Sequence, residues 1–399
     1  MNKARKGKGE RGKGKGKKKR AGSAGRVAVF PFPLTPSPFP QCFPKVLISE
    51  FDYELPEELI AQAPLAERDA SRLLVLDRAR RAWRDTSFAE LPEELREGDQ
   101  LVVNNTRVFP ARLVGRREPS GGAVELFLIE ERAPRLWDAL ARPARRLARG
   151  QQISFGDGRL CAEVVDAADA GRRTVRFDCA GDFDALLEEF GRVPLPPYIK
   201  RAPATDATGA ADARHLEDRE RYQTIYAERR GAIAAPTAGL HFTPRVLTAL
   251  RARGVNVTEI TLHVGYGTFA PVRANDLREH AVAAEHYEIT PEAAASLDEA
   301  HARRRRIVAV GTTTVRALES AAGGNGRLTP GAHSTALTIT PGYRFKIVDA
   351  LITNFHLPRS SLLVLVAAFA GHDLTLAAYR HAVAARYRFY SYGDCMLIF

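Results

Sequence analysis

Two hydrophobic patterns divide the chain. Between residues 71 and 181, short runs of apolar and polar positions are separated by turns, which is typical of β-strands without long helices. The predicted strands cover residues 72–77, 100–104, 111–116, 123–130, 136–141, 151–155, 160–165 and 174–177. Closely spaced short strands of this kind predict a small antiparallel barrel or sandwich.

From residue 182 onward, helix and strand signals alternate. Helices are predicted at 182–190, 214–230, 243–253, 290–305, 312–322 and 361–370, and strands at 255–264 and 306–310. Alternation of this kind predicts the fold class α/β: a body with a mostly parallel sheet, interrupted by an inserted small antiparallel β-barrel domain. The predicted α/β domain comprises residues 46–70 and 182–399, and the predicted inserted domain comprises residues 71–181.

Charge is distributed unevenly along the chain. The formal net charge is +12, and residues 1–46 alone hold nine Lys, four Arg and one Glu. The segment 1–20 consists mostly of Lys and Gly and cannot bury a core, so we predict a disordered basic tail and a Pro-rich linker over residues 1–45. The tail is either a solvated extension or an arm that binds RNA phosphates without sequence preference. No continuous apolar segment follows its basic residues, so no signal peptide is predicted.

Several classes of protein are excluded by composition. The four cysteines form no Cys-x-x-Cys pair, which argues against a disulfide scaffold and a Cys-based zinc site. The longest apolar run has nine residues, against the ~20 that span a bilayer, so we expect a soluble, cytoplasmic protein. The sequence contains no His-x-x-x-His, Gly-x-Ser-x-Gly or Walker motif. We therefore predict no metal and no bound cofactor.

Two glycine-containing segments are candidates for ligand binding. In the first, small residues surround Thr237, Gly239 and His241, which is typical of a ligand loop or of a well-packed loop with a hydrogen-bonded histidine. The second follows a predicted strand, where ligands bind in parallel sheets. It contains His263, Gly265, Tyr266, Gly267 and Thr268. The third glycine of a dinucleotide-binding fingerprint is missing, so we do not predict a dinucleotide site. Tyr266 either stacks on a nucleobase or packs against the protein.

Polar groups follow two further predicted strands. Thr312 and Thr313 begin a helix and either bind an anion or ribose or only cap the helix, and Arg316 lies one turn later. The second strand is the apolar segment that begins at residue 351. The candidates at its end are Asn354, Phe355, His356 and Arg359, with a buried hydrogen-bond network as the alternative. Other candidate binding residues are Asn104, Asn105, Thr106, Arg107 and Tyr222, and Glu285 is a candidate carboxylate.

Several long motifs occur in a fixed order. They are FDYELP at 51–56, RDASR at 68–72, VPLPPYIK at 193–200, and the segments 98–112, 219–226, 235–243, 261–272, 308–320 and 350–361. Together they resemble the S-adenosylmethionine:tRNA ribosyltransferase-isomerase family of queuosine biosynthesis, from about Val46 to Ile398.

This resemblance implies an α/β body with an inserted β-barrel. It also implies transfer and isomerisation of the ribosyl group of S-adenosylmethionine onto the aminomethyl-deazaguanine at the wobble position of tRNA. The products would be epoxyqueuosine-tRNA, adenine and methionine, so S-adenosylmethionine would be a ribosyl-donor substrate and not a bound cofactor. The implied partner is the tRNA anticodon loop; we expect no membrane partner and a monomer.

The chemistry of such a reaction suggests roles for the candidates. His241, His263 and Glu285 would be the acid–base residues. Thr312, Thr313 and Arg316 would hold the methionine carboxylate or a phosphate, whereas Asn354, Phe355 and His356 would read adenine or the target base.

The chain departs from the family pattern in two places, because Asn105 stands where Asp is expected, and Val282 and Ala283 stand where Met and His are typical. A homologue that binds tRNA or a nucleoside without full activity, or another enzyme that consumes S-adenosylmethionine, is therefore an alternative.

Overall fold

The structure is a computed structural model that describes residues 45–168, 171–201, 210–269 and 274–399. For residues 210–213 and 268–269 only the backbone is described. Apart from Lys45, the predicted basic tail and linker lie outside the described residues. Within the described ranges, no single helix is long and apolar enough to cross a membrane. Ser361–Ala370 and His372–Ala384 pass that test as a pair bent by 116°, on length and composition alone.

The strands are, in chain order, β1 Arg72–Asp77, β2 Ala82–Ser87, β3 Gln100–Asn104, β4 Thr106–Val108, β5 Arg112–Glu118, β6 Ala123–Ala133, β7 Leu136–Arg142, β8 Gln152–Phe155, β9 Leu160–Ala167, β10 Arg172–Cys179, β11 Gly191–Arg192, β12 Arg229–Ala232, β13 Asn256–Leu262, β14 Glu285–Ile289, β15 Ile307–Val310, β16 Gly331–Thr335, β17 Ala350–Asn354 and β18 Cys395–Ile398. The α-helices are α1 Leu91–Glu94, α2 Phe183–Phe190, α3 Ala210–Arg221, α4 Pro244–Ala252, α5 Pro291–Ala302, α6 Thr312–Ala321, α7 Ser361–Ala370 and α8 His372–Ala384.

A mixed sheet with helices forms the body. Among the described residues its strand order is β16-β14-β13-β3-β15-β17-β18-β1-β2. The central strands β13, β3, β15 and β17 run parallel, whereas β14, β16, β18 and β2 pair antiparallel with a neighbour. The carboxyl ends of the four parallel strands therefore meet at one edge, where β18 and β1 begin. This edge is the usual place for a ligand in an α/β sheet.

A closed antiparallel barrel forms the inserted module. Its described strands are ordered β5-β6-β7-β10-β9-β8, the pairing of β5 with β8 closes the barrel, and β11 is attached to β5. Alternate residues of the strands fill a hydrophobic core that is separate from those of the body, as β9 illustrates with Leu160, Ala162 and Val164 inside. The predicted fold class, an α/β body with an inserted barrel, is confirmed.

The boundary of the inserted module differs from the prediction. β1, β2 and β3 pair within the large sheet, and the first barrel strand begins at Arg112, not near residue 71. Period-two alternation shows that a segment is a strand, but it does not show which sheet the strand joins. The sequence pattern did not predict strand β2, because this polar, largely exposed edge strand lacks an apolar face. Helix α3 ends at Arg221 instead of residue 230.

Local signals determine where the body helices begin and end. The hydroxyls of Thr243 and Thr290 accept hydrogen bonds from backbone N–H groups in the first turns of α4 and α5. Gly254 follows α4 with φ +76°, a backbone conformation that stops the helix at low cost. Helix α7 is apolar on all sides and largely buried in the hydrophobic core.

Candidate functional site

A cleft with an empty volume of ≈ 600 Å³ lies at the carboxyl edge of the parallel strands. Its walls come from the ends of β13, β15 and β17, from the start of α6, and from the 3-10 helix Thr237–His241. The lining residues are Tyr198, Ala235, Pro236, Thr237, Ala238, Val264, Gly311, Thr312, Thr313, Thr353, Asn354, Phe355, His356, Leu362, Tyr390 and Ser391. Six of the residues predicted for binding thus share one cavity: Thr237, Thr312, Thr313, Asn354, Phe355 and His356.

The N-terminus of α6 faces this cleft. Gly311 precedes the helix with φ +91°, which sharply redirects the chain from β15 into α6. Thr312 and Thr313 are buried in the cleft wall, whereas the Thr314 hydroxyl donates to the carbonyl of Val310 at 2.6 Å. Unpaired N–H groups and the helix dipole make such a turn favourable for a carboxylate, a phosphate or a hydroxyl group.

Asn354 presents a hydrogen-bond acceptor to the cleft. Its Nδ2 donates to the carbonyl of Tyr390 at 3.0 Å and lies 3.2 Å from Nε2 of His241. A carbonyl can only accept, so the contact with Tyr390 fixes the orientation of the amide. Oδ1 is then buried without a partner among the described residues. A buried acceptor of this kind favours a ligand that brings an N–H donor.

His241 lies behind the wall of the cleft. Nδ1 is 2.7 Å from the hydroxyl of Ser71, and Nε2 accepts from Asn354. Burial lowers the pKa of His241 to about 3, and the charges of Arg388 and Arg68 act in the same direction. The imidazole is therefore neutral near pH 7, with both ring nitrogens bonded to protein groups. This arrangement orients Asn354, and it leaves no ring nitrogen facing the cleft.

His356 lines the cleft itself. Its Nε2 lies 2.9 Å from the Thr353 hydroxyl, and the hydroxyl of Tyr379 lies 3.2 Å from its backbone nitrogen. Burial lowers the pKa of His356 to about 3, so this imidazole is also neutral. Nδ1 has no hydrogen bond to any residue in the described ranges, which leaves a nitrogen that can accept a proton from a ligand.

A second cavity, of ≈ 530 Å³, adjoins the cleft through Leu362 and contains the predicted carboxylate. Glu285 and Arg316 form a buried ion pair there, and Glu285 also accepts from the backbone N–H of Gly265 at 3.1 Å. Nε of Arg316 donates to the carbonyl of Leu337 at 3.0 Å. Arg316 thus holds Glu285 and lies outside the lining of the cleft. The departing positions Val282 and Ala283 line this second cavity, together with Gly267.

The polar residues after β3 form a different cluster, which ties β3 to β13. Oδ1 of Asn104 accepts from the backbone of Leu262, and the Thr106 hydroxyl lies 2.8 Å from Nδ1 of His263. His263 precedes the cleft-lining Val264. Burial is the main cause that lowers the pKa of His263, and His286 lowers it further.

Asn105 belongs to the same cluster, and its contacts account for the missing charge. Its Nδ2 donates to Oε2 of Glu259 at 3.1 Å, and its Oδ1 accepts from the Thr261 hydroxyl at 2.7 Å. An aspartate at this position would place a second carboxylate beside Glu259. The amide of Asn105 is therefore better suited to this position than a carboxylate, because it can donate to Glu259 and accept from Thr261.

The remaining predicted residues lie away from the cleft. Arg107 is exposed, Arg359 pairs with Asp52, and Tyr222 is fully buried. Gly239 packs so closely on Tyr226 that an added Cβ would lie 2.2 Å from its hydroxyl. Tyr266 is 44% exposed and contacts Phe127 of the barrel edge-on. The side chain of Thr268 lies outside the described residues.

Sequence reasoning missed three residues of the cleft, Tyr198, Tyr390 and Ser391. The Tyr198 hydroxyl is 2.5 Å from that of Ser391, and the Tyr198 and Tyr390 rings meet edge to face with centroids 3.8 Å apart. Only the motif at 193–200 marked Tyr198, and no signal marked the others. Within the described ranges, no group of three or more His, Cys, Asp or Glu side chains could hold a metal ion.

The fold and the cleft together define an α/β protein with a polar and aromatic cleft at the carboxyl ends of its parallel strands. The chain belongs to the family of queuosine biosynthesis proteins, which matches residues 48–398.

Proteins named S-adenosylmethionine:tRNA ribosyltransferase-isomerase are similar over almost their whole length. The one from Symbiobacterium thermophilum is 52% identical over 351 residues, which is 88% of this chain and 99% of that protein. The one from Pelotomaculum thermopropionicum is 50% identical over 351 residues, which is again 88% of this chain and 99% of that protein. A solved structure of an S-adenosylmethionine tRNA ribosyltransferase from Thermotoga maritima is 38% identical, covers 88% of this chain and 100% of that chain, and has a TM-score of 0.49.

Proposed function

We propose that this protein transfers and isomerises the ribosyl moiety of S-adenosylmethionine onto the aminomethyl-deazaguanine at the wobble position of tRNA. Epoxyqueuosine-tRNA, adenine and methionine are the products. The observation that carries this proposal is the match of residues 48–398 to the family, with six relatives of that name at 47–52% identity. The reaction takes place in the cytoplasm, where both substrates occur.

The cleft supports binding of S-adenosylmethionine as the ribosyl donor. Oδ1 of Asn354 would accept from the exocyclic amino group of adenine, which supplies the missing donor. Tyr198 and Tyr390 offer aromatic surface for the flat base. The ring of Phe355, by contrast, is fully buried against other aromatic rings of the core. The first turn of α6, with Thr312 and Thr313, would hold the carboxylate of the methionine or the ribose hydroxyls.

The reaction needs a base, because the sulfonium acidifies the adjacent ribosyl carbon. We assign this role to His356, which lines the cleft and whose Nδ1 has no partner among the described residues. Burial keeps this imidazole neutral but also makes it a weak base, so the transfer relies on the acidity that the sulfonium gives to the ribosyl carbon. The proton taken from carbon can return to the departing adenine. His241 acts as a positioning residue for Asn354. His263, one residue from the cleft, and Glu285, in the adjoining cavity, remain candidates for the acid–base steps at the acceptor amine.

The acceptor must reach the same cleft. A base inside the anticodon loop is stacked, so the target nucleotide has to be extruded for its amine to approach the ribosyl carbon. The cleft lies at the carboxyl edge of the parallel strands, and the extruded base would enter there beside the donor. A monomer supplies all residues that this arrangement uses.

The test is release of adenine, measured by chromatography after mixing S-adenosylmethionine, the protein and tRNA that carries the deazaguanine precursor. We expect release only with this tRNA, and none with tRNA that carries guanine at the wobble position. Binding of S-adenosylmethionine without turnover would support a non-catalytic homologue, and release without tRNA would indicate another S-adenosylmethionine-consuming enzyme.

Two variants locate the chemistry. His356→Gln should lower the rate at least roughly 100-fold, as expected when a general base is lost, while the variant stays folded by circular dichroism. Ala283→His restores the imidazole typical of the family in the adjoining cavity. A wild-type rate in this variant would show that the departure is neutral, and a tenfold gain would show that the imidazole takes part.

A further inference from the structure

A third pocket, of ≈ 300 Å³, adjoins the cleft, because His241 lies in its wall and Ser391 lines both cavities. Arg68 and Arg221 line this pocket, and no Asp or Glu side chain does so among the described residues. Arg388 lies beside it, since its Nη2 donates to the carbonyl of Ala63, the neighbour of a lining residue.

In the described part of the chain, the guanidinium groups of these three arginines bond only to backbone carbonyls. Arg68 donates to the carbonyls of Leu240 at 3.1 Å and Glu220 at 3.3 Å, and Arg221 donates to that of Leu65 at 2.6 Å. Nε of Arg221 and Nη1 of Arg388 are buried without a hydrogen-bond partner among these residues. Carbonyls hold the guanidinium groups in place but do not neutralise their charge.

Two of the nearby carboxylates are already paired with other arginines. Asp394 pairs with Arg72, and Asp218 forms two hydrogen bonds with Arg201. Besides burial, Arg221 lowers the pKa of Arg68, and both Arg68 and Arg388 lower that of His241. The carboxylates of Glu220 and Asp394 act in the opposite direction on Arg68 and Arg388, but neither lines the pocket. A half-buried pocket lined by arginines and by no carboxylate among the described residues favours an anionic ligand.

We propose that Arg68, Arg221 and Arg388 form a binding site for one phosphate of the RNA backbone, next to the nucleotide whose base enters the cleft. The inference rests on the proposed function. Guanidinium groups with free N–H donors are suited to a phosphate, which presents several acceptor oxygens. The shared wall at Ser391 places this phosphate beside the base, and the carboxylate of the donor substrate already has a suitable site at the N-terminus of α6.

The test uses the full-length protein and tRNA carrying the precursor, with binding measured by fluorescence anisotropy at several salt concentrations. Arg68→Gln, Arg221→Gln and Arg388→Gln should each weaken binding roughly tenfold and reduce the slope of log Kd against log salt by about 1. KM for S-adenosylmethionine should not change. Arg219→Gln is the matched control, because Arg219 lies on the same helix as Arg221 but is paired with Glu188.

A thermodynamic cycle identifies the phosphate. An anticodon stem-loop with a single uncharged methylphosphonate, placed in turn at each linkage flanking the target nucleotide, should bind the wild type more weakly at one linkage. Arg221→Gln should abolish that difference. Arg221→Lys, which retains the charge, should recover part of the affinity and separates loss of charge from loss of folding.

Three results would overturn the assignment while the wild type still releases adenine. The glutamine variants could bind tRNA as Arg219→Gln does, they could raise KM for S-adenosylmethionine instead, or no linkage could couple to Arg221. A wild-type protein that binds no tRNA would overturn the proposed function itself.

Discussion

Acidification should destabilise this protein through two histidines that are buried in the neutral state. His241 and His356 are 4% and 8% exposed, and burial lowers the pKa of each from 6.5 to about 3. The unfolded chain therefore binds more protons than the folded chain between these values. The stability that each neutral imidazole contributes is fully present above pH ~6.5 and is lost progressively as the pH falls toward 3.

The magnitude follows from proton linkage. One pKa unit corresponds to about 1.4 kcal/mol, so each histidine contributes about 2 kcal/mol to the loss of stability between pH 7 and pH 5. The two together contribute about 4 kcal/mol, a large part of the ~5–15 kcal/mol that is typical of folded domains. The result depends little on the folded value, because pH 5 lies well above it.

Urea unfolding at pH 7, 6 and 5, followed by circular dichroism, measures this loss. His241→Gln keeps an acceptor for the amide of Asn354 but cannot bind a proton in this range. We expect the free energy of unfolding to fall between pH 7 and pH 5 by about 2 kcal/mol less in this variant than in the wild type. Ser71→Ala, which removes the hydroxyl next to Nδ1 but keeps the imidazole, is the control and should retain the wild-type pH dependence.

An equal loss of stability in the wild type and in His241→Gln would refute the reasoning. It would mean that His241 is protonated in the folded state, and a protonated imidazole could not accept from Asn354. The orientation of that amide would then depend on Tyr390 alone.

Two further predictions concern particular contacts. Asn354→Leu should remove the preference for S-adenosylhomocysteine over S-inosylhomocysteine, which carries a carbonyl in place of the amino group; the wild type should prefer the former at least roughly tenfold in calorimetry. A variant that still discriminates would place the adenine elsewhere. Asn105→Asp should lower stability by about 1 kcal/mol at pH 7, because the new carboxylate faces Glu259, and Glu259→Gln should restore it in urea unfolding. Destabilisation that persists in the double variant would contradict this explanation.

Helix ends could be predicted because their signals are local. Thr243 and Thr290 accept hydrogen bonds from N–H groups only three residues away, and Gly254 needs only its own backbone freedom. The barrel strands were recognisable for the same reason, since alternation reflects one buried face. The place where the chain passes from the large sheet to the barrel depends on strand pairing over long distances, and the prediction there was wrong.

The composition of the cleft was predictable in part. Thr312 and Asn354 lie at the ends of strands that were expected to be parallel. Carboxyl ends of parallel strands meet at one edge of an α/β sheet, so these two residues were expected to lie close together. Their individual roles stay predictions. His241 looked like an acid–base residue in sequence, yet its ring nitrogens are engaged by Ser71 and Asn354, which lie 170 and 113 residues away in the chain.

The sequence by itself determined the strand and helix pattern, the family and the set of residues able to do chemistry, because each depends on residue type and short spacing. Only the tertiary structure decided that Tyr390 and Ser391 enter the cleft, and that Arg68 and Arg221 line the pocket beside it, near Arg388, with no carboxylate in the described lining. Charge neutralisation and hydrogen bonding act through space, and these three arginines are more than 150 residues apart in the chain.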